Sequence, residues 1–367
     1  MKINSITFRT PTWAIEDLHL DDFNLLVGVS GAGKTQILRA LKSIHFLALG
    51  LSETRILIFE WKIIFSIDKD KYVWEGEEII DKKDFKTGRT LKKEILTREN
   101  QEIFRREQGE TFFLKNPIPK LDTKISLLSH LKEEKEISII YMNFVNFSIW
   151  DNSAFSHGQT TTPYTDLIKN PKKEYRNHLK ISDTILNMYI ANAVDSNKFI
   201  LIQNDFKNIF PQVKELKILP ISKDTLLVCI VERYEANKQV SEVLIEGDNI
   251  SSGMLRTLYF LAYLHLSPRD TIMLIDEFEN GFAINCIGAL AHEMLMQQDK
   301  IQFVVTSHHP YIINTIPHEN WKIVTRKQKD NINYISVHKS DELDVESSHH
   351  EKHMQLINSP LFTEGIG

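Results

Sequence analysis

Residues 28–35 read GVSGAGKT, and these eight residues decide the fold. They satisfy G-x-x-x-x-G-K-[ST] at every fixed position: Gly28, Gly33, Lys34 and Thr35. Upstream lies FNLLVGV (23–29), an apolar strand. Downstream, TQILRALKSIHFLALG (35–50) has the apolar spacing of a helix that Gly50 ends. Strand, glycine loop and helix in that order suit a bound phosphate chain. The glycines let the backbone wrap phosphate oxygens, and N–H groups at the helix start donate to them. The candidate binding residues are Gly28, Ser30, Gly31, Gly33, Lys34, Thr35 and Gln36. Lys34 brings charge to the β- and γ-phosphates, and Thr35 offers a hydroxyl to Mg²⁺.

A loop of this kind needs an acidic partner on a neighbouring strand. TIMLIDEFENG (271–281) supplies it, an apolar run ending in Asp276-Glu277. Asp276 is the candidate Mg²⁺ residue with Thr35, and Glu277 is placed to polarise an attacking water. About one helix earlier, NISSGMLRTL (249–258) opens on Ser251, Ser252 and Gly253. Either serine also suits a plain helix cap. Shortly after the Asp-Glu strand comes TSHHP (306–310), with His308 and His309 at a strand end. The acidic strand follows the phosphate loop only after some 240 residues, which does not fit a small GTPase or a hexameric motor.

With these motifs in this order, the chain resembles the ABC-type ATPases of the SMC and OLD-like group. More closely, it resembles the compact ATPases of bacterial anti-phage defence systems and abortive-infection loci. The matching stretches are GVSGAGKT, DNISSGMLRTL, LIDEFENGF and FVVTSHHP, spanning roughly residues 1–50 and 245–320. The resemblance implies ATP with Mg²⁺ and a homodimer, or an assembly of dimers. In that arrangement Ser251, Ser252 and Gly253 reach the γ-phosphate of ATP held by the opposite protomer. It also implies that His308 senses γ-phosphate and water, so that the catalytic set is Lys34, Glu277 and His308. Phe278 stands where the family has proline, and Ser30 where its loop has asparagine. No Q-loop glutamine is placed: Gln101 and Gln108 lack a deciding context. Phe8 and Trp13 are candidates for stacking on adenine.

The remaining sequence sets the frame. The expected fold is α/β: a P-loop head of the ABC-ATPase type with a β-rich arm and a mixed helical and loop insertion. One ATPase domain spans 1–367, with a phosphate-loop lobe and β-rich arm over 1–125 and an inserted segment over 126–215. A lobe carrying the signature, acidic strand and switch covers 216–340, and a charged tail covers 341–367. Within these, RILIFEWKIIFSI and KYVWEGE flank DKDK (68–71) as a hairpin, and NQEIFRREQGETFFLK (100–115) turns near Gln108-Gly109. ISIIYMNFVNFSI (137–149) reads as a buried strand, and 151–178 as a long polar loop. ISDTILNMYIANAV (181–194) and KFILIQNDFKNIF (198–210) read as helices, followed by a three-strand meander.

At 367 residues, with 42% hydrophobic and 25% charged residues, the composition is that of an ordinary soluble protein. A net charge of −5 makes no demand for nucleic acid. Cys229 and Cys286 lie in apolar stretches, which points to a reducing cytoplasm without a structural disulfide. The start of the chain lacks a signal-peptide pattern. LRTLYFLAYLHL (255–266) carries Arg256 and His265, so it reads as a buried helix rather than a membrane span. HHEKH (349–353) lacks the register of a zinc motif and reads as solvated surface, as does the loose basic stretch Lys82, Lys83, Lys86, Arg89, Lys92 and Lys93. OLD-like relatives often carry a C-terminal nuclease domain; the residues after TSHHP are too few for one, so an effector nuclease or toxin is expected as a separate protein. Three functions follow: a nucleotide-driven dimer switch in anti-phage defence, a small SMC-like DNA clamp, or a slow-turnover nucleotide-bound scaffold.

Overall fold

The computed structural model describes residues 1–51, 59–80, 89–150, 157–161, 183–236, 239–340 and 365–366. Lys82, Lys83 and Lys86, most of the 151–178 loop and the charged tail with HHEKH lie outside the described residues. The chain divides into two compact units. One comprises 1–150, 270–278 and 298–367; the other comprises 151–269 and 279–297.

The first unit is built on a fourteen-stranded sheet. At one end, Phe147–Trp150, Thr271–Ile275, Ile301–Thr306, Phe23–Val27 and Trp321–Lys329 lie side by side and parallel. FNLLV, TIMLI and IQFVVT are buried at every residue. That is the signature of parallel strands with both faces covered, where alternation has no purpose. Three motif loops leave the carboxyl ends of three adjacent strands here: the phosphate loop, Asp276-Glu277 and Ser307-His308. In open α/β sheets this is where ligands bind.

Buried polar side chains fix the register of these strands. Gln302 Oε1 accepts from Ile3 N at 2.8 Å, and its Nε2 donates to Ile3 O at 2.8 Å and Asp21 O at 2.9 Å. Asn24 Nδ2 donates to Asp21 O and Phe303 O. The helix after the phosphate loop, Lys34–Ala48, buries Ile37, Leu38, Leu41 and Ile44 along one face. It stops as expected at Gly50: Leu51 N reaches back to Phe46 O and Gly50 N to Leu47 O, which is the Schellman arrangement.

The other end of the sheet is the antiparallel arm. Glu60–Ile67 and Asp70–Ile80 form the expected hairpin, and Gln101–Glu107 and Glu110–Phe113 turn at Gln108-Gly109. Within it, Glu94 is fully buried. It accepts from Trp74 Nε1, Ser126 Oγ and Leu127 N, and Arg106 stands 3.7 Å away. Lys92 and Lys93 pair with Glu77 and Glu75, so these members of the basic stretch already face carboxylates.

One expectation needs correction. The 137–149 segment is not a strand; Lys135–Val145 is a helix and only Phe147–Trp150 is extended. Ile137, Ile140 and Phe144 form its buried face, while Ile139 and Met142 are exposed. A run this rich in apolar residues hides its period. Trp13–His19 is a strand that carries no sequence expectation, because it breaks alternation at Glu16-Asp17; it pairs with Lys2–Arg9 and, in parallel, with Ile332–Lys339.

In the second unit, Val213–Pro220, Thr225–Ala236 and Gln239–Glu246 form the expected meander, joined by Gln159–Thr161 from within the predicted loop. The described end of that loop is pinned. Gly158 N donates to Asp248 Oδ1 at 2.9 Å, and Tyr259 Oη donates to His157 O. Helices Thr184–Val194, Ser196–Ile209, Ser252–Leu266 and Ile284–Met296 pack together. Cys229 and Cys286 are buried free thiols. No helix among the described residues is long and apolar enough to cross a membrane.

Candidate nucleotide site

A cavity of about 420 Å³ opens at the carboxyl ends of the parallel strands in the first unit. Ser30, Gly31, Gly33, Lys34, Thr35 and Gln36 line one side, and Glu277 and His308 another. Thr12, Trp13, Arg326, Asn333 and Ile335 complete the wall. Gly28 holds the loop from behind. Its φ is +150°, and a Cβ there would fall 2.5 Å from Val324 O, so no side chain fits.

Lys34 is 5% exposed, and its ammonium donates to Gly28 O at 2.7 Å and Val29 O at 3.0 Å. The loop's own carbonyls thus hold the charge beside the place where phosphate oxygens would lie. Thr35 Oγ1 stands 3.3 Å from Asp276 Oδ1, joining the phosphate loop to the acidic strand. Thr306 completes this contact: its hydroxyl donates to Asp276 Oδ1 and accepts from Glu277 N. Phe278 N is tied to Thr306 O at 3.0 Å, and the Phe278 ring is fully buried. Glu277 has φ +49°, the left-handed region, which is rare for a residue with a side chain. Such geometry persists only when its surroundings enforce it, and here Thr306 does so.

The donor set suits Mg²⁺. A threonine hydroxyl and a carboxylate within 3.3 Å of each other are the hard oxygen ligands that this cation takes together with nucleotide phosphates and waters. His308 is exposed at the rim. The neighbouring His309 acts on the backbone instead, its Nδ1 accepting from Tyr311 N and capping the Pro310–Thr315 helix. Of the two aromatic candidates, Trp13 lines the cavity and stacks at 5.2 Å on Phe8, which is fully buried. Gln101 and Gln108 sit in the arm, at the start of a strand and in a turn.

The signature residues belong to the second unit. Ser251 is the N-cap of Ser252–Leu266, its Oγ accepting from Met254 N at 3.3 Å, and Ser252 is exposed on the first turn. Arg256, one turn along, lies over Gly281, where a Cβ would fall 1.3 Å from its Nη1. Phe260 packs edge-on against Phe282.

Thr306, Thr12, Arg326 and Asn333 stand at the site without a role assigned from sequence. Thr306 lies inside TSHHP and is legible there. Thr12 and Asn333 meet where Trp13–His19 pairs with Ile332–Lys339, and Arg326 comes from Trp321–Lys329, which pairs with Ile332–Lys339; neither pairing has a local sequence cue.

The family model described as "AAA domain, putative AbiEii toxin, Type IV TA system" matches residues 23–314. This chain belongs to that AAA_21 family. No curated protein matches it. Among solved structures, the AAA_21 chain is similar to an SMC head bound to the C-terminal winged-helix domain of ScpA. That likeness is at 14% identity and TM-score 0.50, covering 93% of this chain and 99% of the other. It is also similar to the SMC head with an extended coiled coil bound to the C-terminal domain of ScpA from Pyrococcus furiosus. There the identity is 13% and the TM-score 0.50, with 93% and 97% covered. The AAA_21 chain therefore has the fold of SMC heads, and its family is that of an AAA domain with a phosphate loop.

Proposed function

We propose that this protein hydrolyses ATP with Mg²⁺ and works as a nucleotide-driven dimer switch. In this reading it is the ATPase and sensor component of an anti-phage system, controlling a separately encoded effector. The observation that carries the proposal is the hydrogen-bonded chain Thr35–Asp276–Thr306–Glu277 beside Lys34. It brings the phosphate loop, the acidic strand and the switch strand to one point. The family description, which names a toxin–antitoxin system, supports the defence setting.

Each residue's role follows from its chemistry. Lys34 exchanges its carbonyl partners for phosphate oxygens. Thr35 and Asp276 hold Mg²⁺, which when bound neutralises charge developing on the phosphates. Glu277 orients the attacking water, and His308 bonds to γ-phosphate or that water. Trp13 offers a stacking face to the base. Ser252 and Gly253, on an exposed helix N-terminus, suit the γ-phosphate of ATP on a partner copy. ATP then binds the closed dimer more tightly than the open monomer, so hydrolysis releases the closure.

Glu277→Gln tests this. The substitution keeps the shape of the side chain and removes the carboxylate that acts on water, a contribution of about 10²–10⁴-fold in rate. Turnover should fall by that order, and light scattering in ATP and Mg²⁺ should find the variant as a dimer. Unchanged turnover, with no ATP-dependent dimer, would overturn the switch.

A further inference from the structure

Three helices of the second unit converge on side chains that the nucleotide site does not use. Asp205 comes from Ser196–Ile209, His265 from the last turn of Ser252–Leu266, and Glu293 from Ile284–Met296. One ligand atom from each lies within 4.8 Å of the other two. His265 Nε2 is 2.6 Å from Asp205 Oδ2, and these side chains are 7% and 19% exposed. Two carboxylates and an imidazole thus share a half-dry space. Burial pushes the Glu293 carboxyl above its usual range, the Asp205 charge adds to this, and His265 and His292 oppose it.

We propose that Asp205, His265 and Glu293 form a divalent-metal site of the zinc class. An imidazole nitrogen favours a transition metal over Mg²⁺ or Ca²⁺. Three protein ligands with water in the fourth place is a common zinc arrangement. Ligands about 2.1 Å from zinc in a tetrahedron lie about 3.4 Å apart. The 2.6 Å His265–Asp205 pair opens toward that spacing, and Glu293 already lies within 4.8 Å of both, a range that side-chain torsions can adjust. A cation here relieves the Asp205–Glu293 repulsion that the imidazole alone does not cancel.

The placement gives the site a consequence. It lies at the opposite end of the signature helix from Ser252. It fastens that helix to Ser196–Ile209 and to the helix that follows Gly281. The spacing of the three residues matches no short metal motif, so no sequence pattern announces it.

The test uses the full chain, stripped with a chelator and free of nucleotide and Mg²⁺. Zn²⁺ alone is titrated by calorimetry, and Co²⁺ is followed by its visible absorption. The wild type should take one equivalent at this site and gain thermal stability with Zn²⁺. Glu293→Gln and Asp205→Asn should each weaken Zn²⁺ at least tenfold and lose that stabilisation, and His265→Gln should lose the Co²⁺ band. A variant with His349, His350 and His353 changed to alanine should keep all three signals. Equal zinc affinity in wild type and Glu293→Gln overturns the proposal, as does loss of binding only in the tail variant. Should His265→Gln fail to fold, Glu293→Gln still decides, because its carboxylate is partly exposed and glutamine matches its shape.

Discussion

Thr306 Oγ1 donates to Asp276 Oδ1 and accepts from Glu277 N, each across 2.7 Å. One hydroxyl therefore sets two consecutive acidic residues in different orientations. It turns one toward Thr35 and holds the other in a left-handed backbone conformation.

Thr306→Val keeps the branched shape the strand favours and removes this hydroxyl. Partners that orient a metal ligand are worth about 10–100-fold in affinity or activity. ATP turnover should fall by that order, and the Mg²⁺ concentration for half-maximal rate should rise. Thr306→Ser retains the hydroxyl and should stay within several-fold of wild type. Steady-state rates across a Mg²⁺ series separate the two; a valine variant as active as the serine variant defeats the assignment.

Gly281 faces two separable constraints. Its φ of +85° disfavours any side chain, and an added Cβ would fall 1.3 Å from Arg256 Nη1. Left-handed backbone costs a residue with a side chain about 1–2 kcal/mol. Displacing Arg256 adds to that, because the guanidinium leaves its packed position on the signature helix. Gly281→Ala should therefore lower the denaturation midpoint measurably. Adding Arg256→Ala should return only the part of the loss due to the clash. A double-mutant cycle showing no coupling between the two positions contradicts this account.

Asp21 and Lys322 give a pH prediction. Lys322 Nζ lies 2.5 Å from Asp21 Oδ2, with the lysine side chain 2% exposed and the aspartate 56%. Partial burial raises the Asp21 carboxyl, but the hydrogen bond and charge of Lys322, helped by Lys339 and Lys2, outweigh it and hold it below the usual value of 3.8. A carboxyl depressed in the folded state adds stability that is full above its unfolded pKa and lost as pH falls through the folded one. Asp21→Asn should cost about 1–3 kcal/mol near neutral pH, discounted because one partner is exposed. That difference should shrink as pH drops below 3.8. Urea midpoints for both proteins across this range check the direction.

The parts of the fold that local chemistry dictates were readable in the chain. GVSGAGKT announced its strand, loop and helix, and the two hairpins of the arm announced their turns. Asp276 and Glu277 followed from an apolar run ending in acid. What escaped depends on pairings distant in sequence. The parallel contact of Trp13–His19 with Ile332–Lys339 brings Asn333 to the cavity, the pairing of Trp321–Lys329 with Ile332–Lys339 brings Arg326, and neither residue lies in a motif. The Lys135–Val145 helix escaped for another reason: apolar residues on several faces blur the difference between a period of two and one of 3.6.

The cap role of Ser251 and the proposed phosphate role of Ser252 can be separated. Ser251 has the cap geometry, φ −58° and ψ 142°, and its Oγ accepts from Met254 N. Removing such a cap costs about 1 kcal/mol. Ser252 is exposed on the first turn, with no capping bond to lose. Ser251→Ala should therefore lower thermal stability, while Ser252→Ala should leave it nearly unchanged. In a Glu277→Gln background the order reverses for assembly. Ser252→Ala should raise the ATP concentration needed to form the dimer at least tenfold, and Ser251→Ala should raise it less. Light scattering across an ATP series reads both. If Ser252→Ala assembles as readily as its parent while Ser251→Ala does not, Ser251 is the residue that faces the partner's phosphate, and the cap is the lesser of its two roles.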